Sequence, residues 1–573
     1  MRRRGVALWV TTAALTMTGS VAAFGVDAGA GRAVTGGHVS AGCASTDWRQ
    51  YGYNPDHSFA VPAGCSPISS KNVATLIPRW FFHTKDSVTA SPAVVGDSVY
   101  VGDWDGKFYS LDAKTGKEQW VFDIRLADPV AFGQIVSSAA VEPFPVGDTG
   151  KTQEVVVFGG GSTVWALAAD TGKLLASIDL DPRKAKLRKQ QQASANPPVV
   201  EIESSPAVAD VKVGDTVQRR VYVGLDVHND SGVGRTGIVA LRLLANADGH
   251  WSFDPLWKND AETDRTYYGR AGLTAGSGQG QGCGDVWSSP AVDGAADLLV
   301  YGVGNCDHPP NAMAHHQNWA ESLMAVNAAT GRFLWRYSPS EHHGSKSADI
   351  KAAYLDDDFG SSANIYRNDR GQLVAGDGSK GSVYYARAAR TGASLWQTAD
   401  GSPGNLSEDF AVGGFIGSLA VASNASGEAT QIVGGTAIPI PLAKDGGNLL
   451  GALEDIHSFD ANTGKVLWSD RLVAPTYGST SIVNDIALLP MTVASSVVAV
   501  DLKTGLPLWV GPVLGPPSST AVVSGSSVYL GTGTNETDLE YKALNLAIPP
   551  SLERTIGQSP LSPLSGVQAF QLL

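Results

Sequence analysis

The chain has 573 residues, of which 66 are glycine and only 17% are charged, and its formal net charge is −13. A nucleic-acid backbone is bound by a basic surface, so this acidic balance argues against nucleic acid as a partner. A glycine-rich chain with few charges is typical of a turn-rich all-β protein rather than of a helical one.

The first 23 residues have the order of a secretory signal peptide. Positive charge at Arg2 to Arg4 precedes an apolar run over residues 6–14, and small residues then allow cleavage after Ala23. An uncleaved anchor is the alternative, but threonines within the run disfavour a spanning helix, and no later stretch is long enough to span a membrane. We therefore expect a secreted or extracytoplasmic protein with a flexible leader over residues 24–42.

Four cysteines in an exported chain suggest two disulfides. We pair Cys43 with Cys65 and Cys283 with Cys306, because each pair is close in the sequence. The Cys-x-x-Cys-His signature of covalently attached c-type haem does not occur in the chain, so we expect no covalent haem.

The stretch from Ser91 to Trp120 predicts four short strands joined by three tight turns. The turns are centred on Gly96-Asp97, Asp105-Gly106 and Thr115-Gly116. Such short connections join only antiparallel neighbours, so the stretch is a four-stranded meander. One such sheet cannot bury both of its faces alone and needs copies of itself.

The copies are visible as two recurring motifs. The sequence Thr-Gly-x-x-x-Trp closes five units, a sixth has Ala176 in place of the tryptophan, and a seventh is degenerate around residues 247–249 and Trp251. A serine-rich opener precedes eight units, beginning at Ser91, Ser138, Ser205, Ser289, Ser361, Gly417, Ser479 and Ser519. We predict an eight-bladed β-propeller of four-stranded antiparallel blades over residues 43–538, with each tryptophan docking its blade onto the next.

The last blade has an opener but no closing Thr-Gly-x-x-x-Trp motif. A spare strand occurs near the other end of the chain, at residues 76–82. We expect this N-terminal strand to close the last blade, which removes the open edge of the ring. The tail, residues 539–573, contains four prolines and is predicted to be an irregular strap.

Several segments of the chain are similar to a known family. They are residues 48–54 with 76–80, 102–106, 286–290, 358–362 and 413–417. These segments resemble the quinoprotein alcohol dehydrogenases, whose eight-bladed propellers bind pyrroloquinoline quinone (PQQ), and most closely the polyvinyl-alcohol dehydrogenase-like branch. The same repeat also builds non-catalytic scaffold propellers, so activity must be argued residue by residue.

Three residues match the family's quinone-binding and catalytic positions. The resemblance implies that Trp287 is the aromatic floor beneath the quinone and that Lys380 binds its ortho-oxygens, where a cation stabilises the charge of reduction. It also implies that Asp358 is the catalytic base, which takes the hydroxyl proton as hydride moves to the quinone. The alternatives are a packing tryptophan, a turn lysine and an acidic loop tip.

The resemblance also implies a calcium site built from oxygen ligands. Asn305 matches the family's asparagine ligand, although asparagine after glycine is also a common turn residue. The family's glutamate ligand is absent here, and Asp230 or Asp226 is the replacement, with Asp358 beside the metal. The family's adjacent cysteine pair is absent as well.

The resemblance therefore implies a secreted dehydrogenase that uses PQQ and Ca²⁺. It would oxidise a small-molecule or polymeric alcohol and pass the electrons to a separate acceptor. The alternative is a non-catalytic propeller that binds a protein or a cell-wall ligand. The joint occurrence of Trp287, Asn305, Asp358 and Lys380 favours the enzyme, whereas the missing glutamate and cysteine pair favour the scaffold.

Overall fold

The computed structural model describes most of the chain after the leader. The described residues are 43, 45–128, 134–181, 200–226, 236–246, 248–273, 284–304, 320–339, 357–400, 405–407, 410–412, 414–437, 440–441, 448–449, 454–472, 477–492, 495–533 and 564–573. The predicted signal peptide and leader, residues 1–42, lie outside them. Within the described part of the chain, no helix is long and apolar enough to cross a membrane.

Eight four-stranded antiparallel sheets confirm the predicted eight-bladed propeller. Blade 1 is built from Ala93–Val95, Ser98–Gly102, Lys107–Asp112 and Glu118–Asp123, and blade 2 from Ala140–Pro145, Thr152–Gly160, Thr163–Ala168 and Leu174–Asp179. Blade 3 is built from Ala207–Val213, Thr216–Leu225, Gly237–Ala245 and Trp251–Asp260, and blade 4 from Ala291–Asp293, Leu298–Val303, Ser322–Asn327 and Phe333–Tyr337. Blade 5 is built from Asn364–Arg367, Leu373–Gly378, Val383–Ala388 and Ser394–Ala399, and blade 6 from Ala420–Ser423, Ala429–Ala437, Glu454–Asp460 and Val466–Leu472. Blade 7 is built from Ser481–Val483, Ile486–Met491, Ser496–Asp501 and Pro507–Pro512, and blade 8 from Val522–Ser524, Ser527–Thr532, Gly566–Leu572 and Leu76–His83.

A few elements are added to this plan. Blade 3 has a fifth strand and blade 7 pairs in parallel with a two-residue strand; two small hairpins, two short helices and one 3-10 turn complete the described elements. The fifth strand of blade 3 is Arg265–Tyr268, and the two-residue strand beside blade 7 is Ala60–Val61. The hairpins are Asn405–Ser407 with Phe410–Val412 and Ile440–Pro441 with Asn448–Leu449. The helices are Ile124–Ala127 and Gly269–Leu273, and the 3-10 turn is Val73–Thr75.

Blade 8 joins the two ends of the chain. Its outer strand is Leu76–His83, as predicted, and this strand pairs with Gly566–Leu572, for example through Phe82 and Val567. The prediction of an irregular tail is wrong for these last residues, which form the third strand of the blade. All four prolines of the tail precede Gly566, so nothing in the final segment opposes a strand.

Hydrogen bonds between the openers link the blades into a closed ring. In six openers, the backbone N–H donates to the hydroxyl of the next opener at 2.8–3.1 Å: Ser91, Ser138, Ser205, Ser289, Ser362 and Ser418. The Ser481 hydroxyl donates to the Ala521 carbonyl at 2.6 Å, which joins blade 7 to blade 8, and the backbone N–H of Thr520 donates to the Ser91 hydroxyl at 3.0 Å, which connects blade 8 back to blade 1. The serines that count the blades in the sequence therefore also hold them together.

Tryptophans on the outer strands dock onto the next blade, as predicted. Five indole N–H groups donate at 2.8–3.2 Å to a carbonyl of the neighbouring turn: Trp80, Trp120, Trp335, Trp396 and Trp468. The turn glycine is needed because a Cβ at Gly392 would lie 2.8 Å from the Trp335 ring, and its φ is +70°. In blade 3 the docking residue is Trp257, which packs on Gly331, and the assignment of Trp251 is wrong. The outer strand of that blade is ten residues long, which moves the docking position along the chain.

Residues 48–61, here called the ring strap, run along the first strands of seven successive blades. Carbonyls of the strap accept backbone N–H groups at 2.6–2.9 Å from blades 1, 2, 4, 5, 6 and 7, which are those of Val94, Val141, Val292, Ile365, Val421 and Ile482. Blade 3 is reached by the Gln50 side chain, which accepts from Val208 N–H at 3.0 Å. The Tyr51 hydroxyl lies 3.0 and 2.9 Å from the hydroxyls of Ser418 and Ser479. The strap therefore ties the ring together independently of blade 8.

His57 of the strap makes the stability of the ring depend on pH. Burial lowers the pKa of His57 from 6.5 to about 4, and its hydrogen bond to the Ala363 carbonyl only partly opposes this. Between these two values the unfolded chain binds more protons than the folded chain, so the free energy of unfolding rises with pH. His57 then makes the free energy of unfolding about 2 kcal/mol higher at pH 7 than at pH 5.

We expect His57→Asn to reduce that difference by about 2 kcal/mol. The asparagine amide keeps a donor for the Ala363 carbonyl but does not titrate. Denaturant unfolding at both pH values measures the change, and His83→Asn on the exposed edge of blade 8 is the matched control. An unchanged pH dependence in His57→Asn would contradict the neutral buried imidazole.

The cysteines that can be described form one disulfide. The sulfur atoms of Cys43 and Cys65 are bonded at 2.18 Å, with their Cα atoms 5.2 Å apart. Cys283 and Cys306 lie outside the described residues, so their pairing stays a prediction.

Candidate active site

The candidate residues lie where one blade leads into the next. At this end of the ring, the segment before a blade's opener bonds to the end of the preceding blade's second strand. Val286 N–H donates to the Leu225 carbonyl at 3.1 Å, and Phe415 N–H donates to the Ser379 carbonyl at 3.1 Å. The same arrangement brings Phe359 to Val303, with an N–O distance of 3.5 Å. Residues from blades 3, 4 and 5 thereby become neighbours although they are far apart in the sequence.

Trp287, Asp358 and Lys380 meet at this position. The Lys380 Nζ lies 3.0 Å from the Asp358 Oδ2 and 5.5 Å from the centroid of the Trp287 ring. The Lys380 backbone N–H also donates to the Asp358 carbonyl at 2.9 Å. The Asp358 side chain is 1% exposed and the Lys380 side chain 14% exposed, so the ion pair is largely removed from water. The three candidate side chains are therefore neighbours in the fold, while the roles assigned to them stay predictions.

Two glycines allow the Trp287 indole to lie where it does. A Cβ at Gly304 would be 2.8 Å from the indole Nε1, and a Cβ at Gly360 would be 3.0 Å from Cη2 of the same ring. The Gly360 position is also close to Lys380, whose Cε would be 3.3 Å from that Cβ. Any larger residue would displace the indole or the lysine stem, so both glycines shape the site.

The predicted metal ligands are only partly within the described residues. Asp226 is buried, and its backbone exchanges two hydrogen bonds of 2.9 Å with Glu201. It follows Leu225, which contacts Val286, and so it lies next to the segment that carries Trp287. Asn305 and Asp230 lie outside the described residues. Over the described ranges, no group of three or more His, Cys, Asp or Glu residues is arranged to hold a metal, so the ligand set stays a prediction.

Two buried carboxyl residues beside Gly304 were missed from the sequence. Gly304 N–H donates to the Asp285 carbonyl at 2.9 Å, and Glu321 N–H donates to the Gly304 carbonyl at 2.8 Å. Asp285 is 4% exposed and Glu321 is fully buried, with a φ of +46° that is uncommon outside glycine. Asp285 stands two residues before Trp287 and could have been noticed, whereas no motif marks Glu321.

A match to a protein family covers more than half of the chain. Residues 48–356 match the family described as "Glucose/ethanol/alcohol dehydrogenase, beta-propeller domain". The chain belongs to this family of PQQ-dependent dehydrogenase propellers. Residues 379–545 match a second family, described as "Outer membrane protein assembly factor BamB". Trp287 lies within the first match and Lys380 within the second, while Asp358 lies between them.

The relatives that match this chain are much longer than the region they share with it. The chain is 25% identical over 332 residues to quinoprotein glucose dehydrogenase of Escherichia coli, covering 54% of this chain and 39% of that protein. It is 26% identical to the dehydrogenase subunit of a quinone alcohol dehydrogenase of Gluconobacter oxydans, covering 57% and 41%. It is 24% identical to polyvinylalcohol dehydrogenase of a Pseudomonas species, covering 47% and 37%. The chain thus spans about two fifths of the length of these relatives.

Solved structures of similar proteins share the fold. A europium-containing methanol dehydrogenase superposes with a TM-score of 0.59 at 18% identity, covering 92% of this chain and 98% of that one. A quinohemoprotein alcohol dehydrogenase of Comamonas testosteroni superposes with a TM-score of 0.57 at 14% identity, covering 92% and 80%. At these identities the likeness concerns the propeller architecture alone.

Proposed function

We propose that this propeller is a PQQ- and Ca²⁺-dependent dehydrogenase that oxidises an alcohol and passes the electrons to a separate acceptor. The observation that carries the proposal is the meeting of an indole face, a lysine ammonium and a nearly buried carboxylate at one end of the ring. An aromatic floor, a cation for quinone oxygens and a base are the three protein groups that this chemistry requires. Family membership supports the same reading.

The residues present fit a planar quinone. The Trp287 ring is partly exposed and offers an apolar face, and Gly304 and Gly360 let the backbone approach its two edges without displacing it. Lys380 lies above the same ring and carries the positive charge that quinone oxygens need as they are reduced. PQQ, when bound, supplies an ortho-quinone that accepts the hydride of the alcohol carbon.

Asp358 is the residue to which we assign the proton transfer. Its Oδ2 lies 3.0 Å from the Lys380 ammonium, and an opposite charge at that distance favours the ionised carboxylate. The ionised carboxylate accepts the hydroxyl proton as the carbon–hydrogen bond breaks, so the proton ends on an Asp358 oxygen. Burial excludes bulk water from the carboxylate, which strengthens its interaction with the alcohol.

Calcium would be held by oxygen ligands on the chain. The proposed set is Asn305, Asp358 and either Asp226 or Asp230. A bound Ca²⁺ would polarise the quinone carbonyl oxygen, which becomes negatively charged on reduction.

A second function is supported by the match of residues 379–545. That match is to an assembly factor, and this chain lacks the family's glutamate ligand and adjacent cysteine pair. A scaffold that binds a protein or a cell-wall ligand would keep the ring without the quinone. The two functions differ in one property, which is affinity for PQQ.

Quinone affinity is measured by titrating the purified protein with PQQ in Ca²⁺ and following the quinone absorbance. Trp287→Ala and Lys380→Met are expected to weaken binding about tenfold or more, which corresponds to about 1.4 kcal/mol or more each. Lys503→Met, at an exposed turn of blade 7, is the matched control and should bind as the unaltered protein does. Equal affinities in all four proteins would place the quinone elsewhere, and no binding at all would favour the scaffold.

We also propose that the protein is exported and that its first 23 residues are removed. The proposal depends on the charged, apolar and small-residue order of that segment. N-terminal sequencing of the exported protein is expected to begin at Phe24. A chain that keeps Met1 and stays with the membrane fraction would indicate an anchor instead.

A further inference from the structure

We propose that Asp377 is a positioning residue of the candidate site, which holds the segments of Asp358 and Lys380 in place. The inference deepens the proposed function and rests on it for its catalytic meaning. Asp377 lies on the second strand of blade 5, three residues before Lys380.

Asp377 is joined to the Asp358 segment through Ser361. The Ser361 hydroxyl is in hydrogen-bonding contact with Asp377 Oδ1 and lies 3.0 Å from the Gly378 carbonyl. Gly378 N–H donates to the same Oδ1 at 2.9 Å and lies 3.2 Å from the Ser361 oxygen. Both side chains are completely buried. The contact therefore fastens the stretch 358–361 to the strand that leads into Lys380.

This fastening acts on the parts of the site that must be held precisely. Between Asp358 and Ser361 stands Gly360, which borders both the Trp287 ring and the Lys380 stem. A small rotation of this stretch would change the distance of 3.0 Å between the Lys380 ammonium and Asp358. Small displacements of a catalytic group can cost large factors in rate.

The surroundings of Asp377 favour its neutral form. Its Oδ2 is buried and has no hydrogen-bond partner among the described residues. Burial raises the pKa of Asp377 well above its ordinary value of 3.8, and the nearby charge of Asp358 raises it further. The buried phenol of Tyr384 is a further titratable neighbour, and its own pKa is raised mainly by burial. A neutral Asp377 leaves Asp358 as the charge that pairs with Lys380.

The neutral acid is tested on the protein without any cofactor. The infrared difference between the unaltered protein and Asp377→Asn at pH 7 should contain the carbonyl stretch of a protonated carboxyl group. A difference that instead shows only carboxylate bands would overturn the neutral form. This measurement does not depend on whether PQQ binds.

The positioning role is tested by comparing Asp377→Asn with Asp377→Ala. Asparagine keeps the Oδ1 acceptor and the neutrality, so its crystal structure should retain the Lys380–Asp358 ion pair and its PQQ affinity should change less than about twofold, which is under about 0.4 kcal/mol. Alanine removes the Asp377 acceptor and leaves the Ser361 hydroxyl with the Gly378 carbonyl, so the tie to the Asp377 side chain is lost, the ion pair should be broken and PQQ affinity should fall about tenfold. Ser361→Ala should have the same effect and should add little to Asp377→Ala, because both remove one contact.

The two proposals can fail separately. If the unaltered protein binds no PQQ, the proposed function fails, while the ion-pair geometry in the variant structures still decides the positioning role. If Asp377→Ala keeps the ion pair and the PQQ affinity of the unaltered protein, Asp377 has no positioning role. A lower stability of Asp377→Ala with unchanged geometry would likewise contradict the proposal.

Discussion

Replacing Asp358 by asparagine is expected to lower alcohol-dependent dye reduction by a factor of about 10² to 10⁴, the usual contribution of a general base. Asparagine has the shape of aspartate but cannot accept the hydroxyl proton. The effect should be on kcat, because the Trp287 face and the Lys380 ammonium remain available to the quinone. Turnover with saturating PQQ and Ca²⁺ is the measurement, with circular dichroism to verify the fold.

Two further variants decide whether Asp358 acts alone. Asp369→Asn, on an exposed turn of the same blade, is the matched control and should turn over as the unaltered protein does. Asp357→Asn removes the adjacent buried carboxyl group and should have a smaller effect than Asp358→Asn. If Asp357→Asn is inactive while Asp358→Asn is active, the base has been assigned to the wrong aspartate.

Removing residues 566–573 is expected to abolish cooperative unfolding of the ring at ordinary temperature. This strand fills the space between Ser527–Thr532 and Leu76–His83, and its Val567 and Phe570 are completely buried. Losing two such side chains costs on the order of 3–6 kcal/mol before the lost backbone hydrogen bonds are added. That loss is comparable to the whole stability of many domains, about 5–15 kcal/mol.

Thermal unfolding followed by circular dichroism measures this effect, together with limited proteolysis. The matched control is removal of Leu573 alone, which is 84% exposed and should leave the unfolding midpoint unchanged. If the chain ending at Ser565 melts at the same temperature as the full chain, blade 8 does not need its third strand and the closure described above is not what stabilises the ring.

The repeat pattern predicted the ring well because each motif has a local physical role. The openers counted eight blades correctly, since each one bonds to the next around the axis. The tryptophans predicted docking for the same reason. Trp251 was the wrong choice in blade 3 because an outer strand of ten residues carries its docking tryptophan, Trp257, further on. A degenerate repeat does not show this from its sequence.

The features that were missed depend on contacts between distant segments. The ring strap has no periodicity of its own, and its order emerges only when seven blades lie beside it. The last strand, Gly566–Leu572, follows a proline-containing stretch and has no repeat motif, so only its partners identify it. At the candidate site, the family resemblance selected Trp287, Asp358 and Lys380, but it could not select Asp377 or Glu321, whose importance comes from burial.

The most direct measurement is equilibrium binding of PQQ to the purified protein in the presence of Ca²⁺. We predict one quinone per chain, retained through gel filtration with its absorbance changed, and weakened by Trp287→Ala and Lys380→Met. A protein that passes through the column without quinone after incubation with excess PQQ and Ca²⁺ would contradict the central claim.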